Sequence, residues 1–232
     1  MLHSPTEAVP AASPAEHWTQ PSGSNGREAP SERGLAWLLL IGGLLGLVAS
    51  FVLAVEKYAL LADPSYVPTC SLNPVLSCGS IMSSAQAEAF GFPNPLLGVA
   101  GFAVVVSTGG ALLAGARVAG WFWGGLQIGA TLAVIFVHWL IFSSLYRIGA
   151  LCPYCMVVWA VTVPLFWYVT LRNATALTLR NATALTLRLP PWLARAVALA
   201  RARHGVVLTV WVLIITAAIL ERFWLYWSTL VD

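Results

Sequence analysis

Four cysteines carry the sequence's clearest chemistry, and two of them stand three apart in Leu151-Cys152-Pro153-Tyr154-Cys155-Met156, where a long apolar run begins. At that spacing on a helix both sulfurs lie on one face and can reach each other. Pro153 suits a first helical turn, where its missing N–H costs nothing. The partial positive charge of a helix N-terminus favours thiolate over thiol. Cys152 is therefore read as the nucleophile and Cys155, one turn deeper, as its buried partner. Two other readings of an isolated C-x-x-C are open: plain buried cysteines, which behave as small hydrophobes, or zinc ligands. The remaining pair, Cys70 and Cys78, has seven residues between its members, a spacing less suited to zinc, whose structural sites favour tight pairs.

The elements that must position these sulfurs are membrane spans. The chain of 232 residues is 59% hydrophobic and 9% charged, against about 25% charged for soluble domains. Uncharged runs long enough to cross a bilayer begin near Leu35, Pro95, Trp121, Ile148 and Val206. They predict an all-α membrane protein. Residues 1–33 read as a disordered tail rich in Pro, Ala, Ser and Glu. Residues 34–171 hold four spans and a low-charge external loop, 56–94, in which Gly79 to Phe90 predicts one short helix. Gly42, Gly43 and Gly46 allow close packing of the first span, and Glu56 and Lys57 end it as interfacial residues. Residues 172–205 form a basic linker in which LRNATALT occurs twice in tandem, from Leu171 and from Leu179. This reads as a recent duplication with little functional content, and its two N-A-T acceptor patterns fall on the wrong side for glycosylation. Residues 206–232 supply a fifth span and a short external tail. The net charge of +3 is too small to argue for nucleic acid.

Charge also predicts the orientation. With five spans, one side holds nine basic residues (Arg27, Arg33, Arg117, Arg172, Arg180, Arg188, Arg195, Arg201 and Arg203) and the other holds Lys57, Arg147 and Arg222. The positive-inside rule places the nine, and the N-terminus, in the cytoplasm. All four cysteines then fall on the extracytoplasmic side, where disulfides persist. One dithiol on a loop and one at a helix end are the parts needed for thiol–disulfide exchange. Two structural disulfides on a non-catalytic scaffold remain the alternative. A conduit carrying reducing power outward would need cytoplasmic thiols, which the charge count does not provide.

From about Leu35 to Leu171 the sequence resembles the vitamin K epoxide reductase family in its bacterial, disulfide-forming branch. The resemblance rests on Cys70-(x7)-Cys78, on Phe90-Gly91-Phe92-Pro93-Asn94-Pro95-Leu96-Leu97-Gly98 and on Leu151-Cys152-Pro153-Tyr154-Cys155. It implies a four-helix transmembrane bundle around a quinone (menaquinone or ubiquinone) with an external capping loop. It implies that Cys152 and Cys155 are the active-site pair, Cys155 facing the quinone, and that Cys70 and Cys78 are a shuttle pair. Asn94 matches a family hydrogen-bond donor to the quinone, and Ser84 lies near a loop Ser/Thr position. Trp159 stands where animal members have a Tyr; it can stack on a ring but cannot accept a hydrogen bond, which argues against epoxide chemistry. The expected partners are a separate extracytoplasmic thioredoxin-like (DsbA-like) protein, because the chain stops at Asp232 without the fused domain of many bacterial members, and the quinone pool of a bacterial inner membrane. The expected reaction is dithiol plus quinone to disulfide plus quinol, with the reduced loop swinging toward the bundle. His138, an ionisable group within the third span, is a candidate proton donor to the quinol; the alternative is a neutral imidazole bonded to a neighbouring helix.

Overall fold

The computed structural model describes residues 32–183 and 191–228; residues 1–31 of the tail read over 1–33, residues 184–190 of the linker and the last four residues lie outside the described residues, and Glu32 and Arg33 begin the first helix. In chain order the helices are α1 (Glu32–Ala62), α2 (Cys78–Met82), α3 (Pro95–Leu113), α4 (Gly120–Phe142), α5 (Pro153–Thr183), α6 (Pro191–Ala202), α7 (His204–Arg222) and α8 (Trp224–Ser228). A 3-10 turn, Ala85–Glu88, follows α2, and a π-helical turn, Ser143–Ile148, prolongs α4. Five helices are long and apolar enough to span a membrane, α1, α3, α4 with its π turn, α5 and α7. The chain is an all-α, multi-pass membrane protein. Large apolar side chains such as Trp37, Ile41, Leu44 and Val48 point outward from α1, as a lipid-facing surface requires and a water-facing one would not tolerate.

Small residues set the distance between α1 and α3. A Cβ added at Gly109 would lie 2.5 Å from the backbone nitrogen of Leu40, and one at Gly46 would run into the Phe102 ring. Gly98 meets Ser50 in the same way, so the two helices run antiparallel and nearly in backbone contact. On its other side α1 packs against α5, where Gly42 faces Leu165. Helices α4 and α5 are held by polar contacts near the start of α4. Gln127 donates to the hydroxyl of Thr170 at 2.9 Å, and Asn173 donates to the Trp123 carbonyl at 3.1 Å. Helices α3 and α4, by contrast, barely touch. The bundle is therefore open between them, toward the membrane.

Three expectations shift. Helix α5 does not end at Leu171 but runs through the first octapeptide copy to Thr183, because LRNATALT contains no helix breaker. That copy is also not inert: besides the Asn173 bond, Arg172 stacks over the Trp123 ring at 3.7 Å. The helix expected over 79–90 is broken. The Ser83 hydroxyl donates back to the Gly79 carbonyl and that of Ser84 to the Ile81 carbonyl, and Ser84 is extended, the local competition by which serines end helices. Helix α1 continues beyond Glu56 and Lys57, which are buried rather than interfacial.

The glycine contacts give a direct test. Gly109→Ala should destabilise the bundle by about 1–3 kcal/mol, because backbone must move. Gly101→Ala, where a Cβ meets nothing within 4 Å, should be neutral or stabilise by up to about 1 kcal/mol through helix propensity. Thermal unfolding of the two variants in detergent checks the contrast.

Candidate functional site

The loop between α1 and α3 folds back over the end of the bundle and brings its cysteines with it. Cys70 and Cys78 are disulfide-bonded. The chain between them turns on Asn73, whose side-chain oxygen accepts from the backbone N–H groups of Val75 and Leu76 at 3.0 and 2.7 Å; Asn followed by Pro is a strong turn initiator. The next residues lie alongside the start of α5 as a short parallel bridge. Leu151 N–H donates to the Val75 carbonyl at 2.7 Å, and Ser77 N–H donates to the Leu151 carbonyl at 2.9 Å. Ser77 then caps α2, whose first residue is Cys78.

This bridge sets Cys78 Sγ 3.0 Å from Cys152 Sγ. The sulfurs of Cys70, Cys78 and Cys152 all lie within 4.8 Å of one another, and all three residues are buried. Three sulfurs this close can hold a metal only as thiolates, and two are spent on their mutual bond. Cys152 and Cys155 are free thiols. The loop is thus docked while oxidised, without the swing expected of its reduced form.

Cys152 immediately precedes α5, and its carbonyl accepts the first helical bond, from Met156 at 3.0 Å. It is the N-cap, with sulfur in the place usually taken by a Ser or Asp oxygen. The thiol of Cys155 donates to this sulfur, and the N–H groups of Cys155 and Tyr154 add to it; together they hold the Cys152 thiol below its ordinary range, against burial and the nearby Glu56 charge. By exposed area Cys152 is the more buried of the pair, the reverse of expectation, because Cys155 borders a cavity.

Adjacent residues at the end of α1 secure both flanks of the disulfide. The Glu56 carboxylate accepts from the hydroxyls of Thr69 and Tyr66, directly before Cys70. The Lys57 ammonium donates to the Met82 carbonyl at 2.7 Å, at the end of the helix that starts with Cys78, and pairs with Glu88 at 2.9 Å. Glu56 and Lys57 are each 6% exposed. Two opposite charges side by side before an almost uncharged loop were the available sequence signal for this role.

The cavity has a volume of about 750 Å³ and lies between α3 and α4, with α5 as its back wall. Cys155 and Trp159 on α5, Asn94 before α3 and Ser84 in the loop, from three separate stretches of sequence, all line it. Its size is that of small-molecule sites, about 300–1,000 Å³. Gly101, Gly125 and Gly129 face open space there, so the wall is hollowed where side chains would fill it. Asn94 donates one amide hydrogen to the Gln86 carbonyl at 2.6 Å and accepts from Ala89 N–H at 3.1 Å. Its second amide hydrogen is left for a ligand. Largely apolar walls with a few polar groups, the Asn94 amide and the Cys155 thiol among them, suit a flat lipid-soluble ring such as a quinone. Ser84 borders the cavity, with its hydroxyl turned to the Ile81 carbonyl. His138 does not border it. Its Nε2 accepts from Trp211 Nε1 of α7 at 2.9 Å, and Nδ1 donates to the Val134 carbonyl at 2.7 Å, a fully bonded neutral ring.

Residues 37–170, more than half of the chain, match the model of the vitamin K epoxide reductase family. The chain belongs to that family and is a membrane thiol oxidoreductase. The matched stretch holds all four cysteines and Asn94. No curated protein sequence matches the chain.

Two outcomes follow from the site. Alkylation of Cys152 should titrate below the ordinary thiol range, and Cys155→Ala should move the midpoint to higher pH, because a donor to the thiolate is removed; rates of iodoacetamide labelling against pH measure both. Glu56→Gln should loosen the Thr69–Cys70 flank and speed amide hydrogen exchange there by about tenfold, the loss of roughly 1.4 kcal/mol from a charged hydrogen bond.

Proposed function

We propose that this member of the vitamin K epoxide reductase family belongs to the disulfide-forming, bacterial branch, and that it reoxidises a separate extracytoplasmic thioredoxin-like (DsbA-like) protein at the expense of a membrane quinone. The basic residues of the tail and linker support an inner-membrane orientation with a cytoplasmic N-terminus and cysteines outside. The observation that carries the reading is the unbroken chain of contacts from the Cys70–Cys78 disulfide through Cys152 to Cys155 on the cavity wall.

The steps balance as follows. A thiolate of the partner attacks Cys70, and Cys78 leaves; the partner's second thiol then closes the partner's own disulfide, and Cys70 and Cys78 are both reduced. Cys78 attacks Cys152 of a Cys152–Cys155 disulfide, and Cys155 leaves. Cys70 then attacks Cys78, and Cys152 leaves as a thiolate eased by its helix cap. The products are a Cys70–Cys78 disulfide beside a Cys152 thiol, which is the observed arrangement. Closing Cys152–Cys155 again releases two electrons and two protons. A quinone bound in the cavity supplies the oxidant, taking up both. Asn94 would hold it, Trp159 would stack on it, and the opening between α3 and α4 admits it from the lipid.

The test is menadione reduction by the full chain in lipid nanodiscs, supplied with a reduced DsbA-like protein. Each of Cys70→Ser, Cys78→Ser, Cys152→Ser and Cys155→Ser should abolish turnover, and Asn94→Ala should raise the quinone KM by about fivefold to tenfold. Turnover surviving in Cys155→Ser would contradict the proposal. A protein whose four cysteines stay oxidised through incubation with the reduced partner would instead fit a scaffold with structural disulfides.

A further inference from the structure

Among the described residues, one buried side-chain polar atom has no hydrogen-bond partner: the hydroxyl of Ser143. Ser143 is 1% exposed and lines the cavity. Hydroxyls elsewhere in these helices behave differently. Those of Thr108, Thr131, Thr162 and Thr170 each donate to the carbonyl four residues back. Ser143 opens the π turn; its backbone N–H is shared between the Leu140 and Trp139 carbonyls, and its hydroxyl bonds neither. A buried hydroxyl without a partner costs about 1–3 kcal/mol, so such an atom calls for a reason. π turns of this kind are frequent at functional sites.

The turn that presents Ser143 is itself held in place. Gly149 takes a left-handed conformation (φ 71°) and donates its N–H to the Ser144 carbonyl at 2.9 Å. Arg222, at the end of α7, donates to the Leu145 carbonyl at 2.8 Å. The fifth spanning helix thus braces the segment between Ser143 and the Cys152 helix cap.

We propose that the Ser143 hydroxyl is a hydrogen-bond donor to a carbonyl oxygen of the quinone, standing on the α4 wall and separate from Asn94 at the start of α3. The inference rests on the quinone reading above. A hydroxyl suits both redox forms of such a ligand. It donates to a quinone carbonyl and, by rotating, accepts from a quinol O–H. Serine serves this wall better than a residue that only donates, such as lysine.

The experiment uses the full chain in lipid nanodiscs and menadione as the probe. Three quantities are read for wild type, Ser143→Ala and Ser143→Cys: the unfolding midpoint without menadione, the dissociation constant for menadione, and the carbonyl stretch of bound menadione by difference infrared spectroscopy. Ser143→Ala should leave the midpoint unchanged or raise it, since an unpaired buried hydroxyl is removed. Its dissociation constant should rise about fivefold to tenfold, the value of one hydrogen bond, and the carbonyl band should move to higher frequency. Ser143→Cys, a weaker donor, should fall between. A Ser143→Ala protein with the wild-type dissociation constant and carbonyl band would overturn the assignment while leaving the quinone reading intact. A wild type that does not bind menadione would sink both.

Discussion

The contact between Cys78 and Cys152 is the constraint around which this end of the molecule is built. It joins a cap to a helix terminus that are distant in sequence, and no single element can enforce it. The parallel bridge of Val75–Ser77 with Leu151 sets the register. Glu56 and Lys57 fix the two flanks of the cap from the end of α1. The π turn and Gly149 deliver the chain to Leu151 from below, with Arg222 against it. Each is a polar device in a low-dielectric setting, where a satisfied network rigidifies and a half-satisfied one is costly. The lipid-facing helices contribute a frame whose tightest seam is the glycine contact of α1 with α3.

The two thiols of the C-x-x-C motif have different surroundings, one helical turn apart, and the proposed exchange assigns them different roles accordingly. Cys152 sits at the cap, where N–H groups and the Cys155 thiol converge on its sulfur. In the proposed exchange these features make it a good leaving group, and Cys78 lies 3.0 Å from it. Cys155 lies one turn further in, where the helix meets the cavity. A membrane-embedded redox site of the kind proposed must separate a water-side exchange from a lipid-side one, and a single helical turn would be enough to do so.

Much of this was legible in the sequence. The C-x-x-C before an apolar run, the spaced pair in a low-charge loop and the asymmetry of Arg gave the elements and the cysteine grouping. The cavity-lining positions of Asn94 and Trp159 came from resemblance, not from any periodicity. What sequence patterns did not reveal depends on three-dimensional partners. Glu56 and Lys57 look interfacial because hydropathy records only that an apolar run ends there; their burial comes from a loop that folds back over them. His138 looks functional as a charge in a span, and its answer lies in Trp211, 73 residues away. Ser143 is one serine among many in the sequence, and its unpartnered hydroxyl is visible only in the fold. The octapeptide copy reads as filler, yet Arg172 and Asn173 land on α4 because α5 simply continues.

The central claim is that Cys78 and Cys152 are exchange partners in the native fold. It is tested most directly by leaving only those two thiols, in a Cys70→Ser/Cys155→Ser protein, and treating it with diamide under native conditions. The account predicts near-complete formation of an intramolecular Cys78–Cys152 disulfide, seen by peptide mass spectrometry. Two thiols that remain free, or that pair only between molecules, would contradict it.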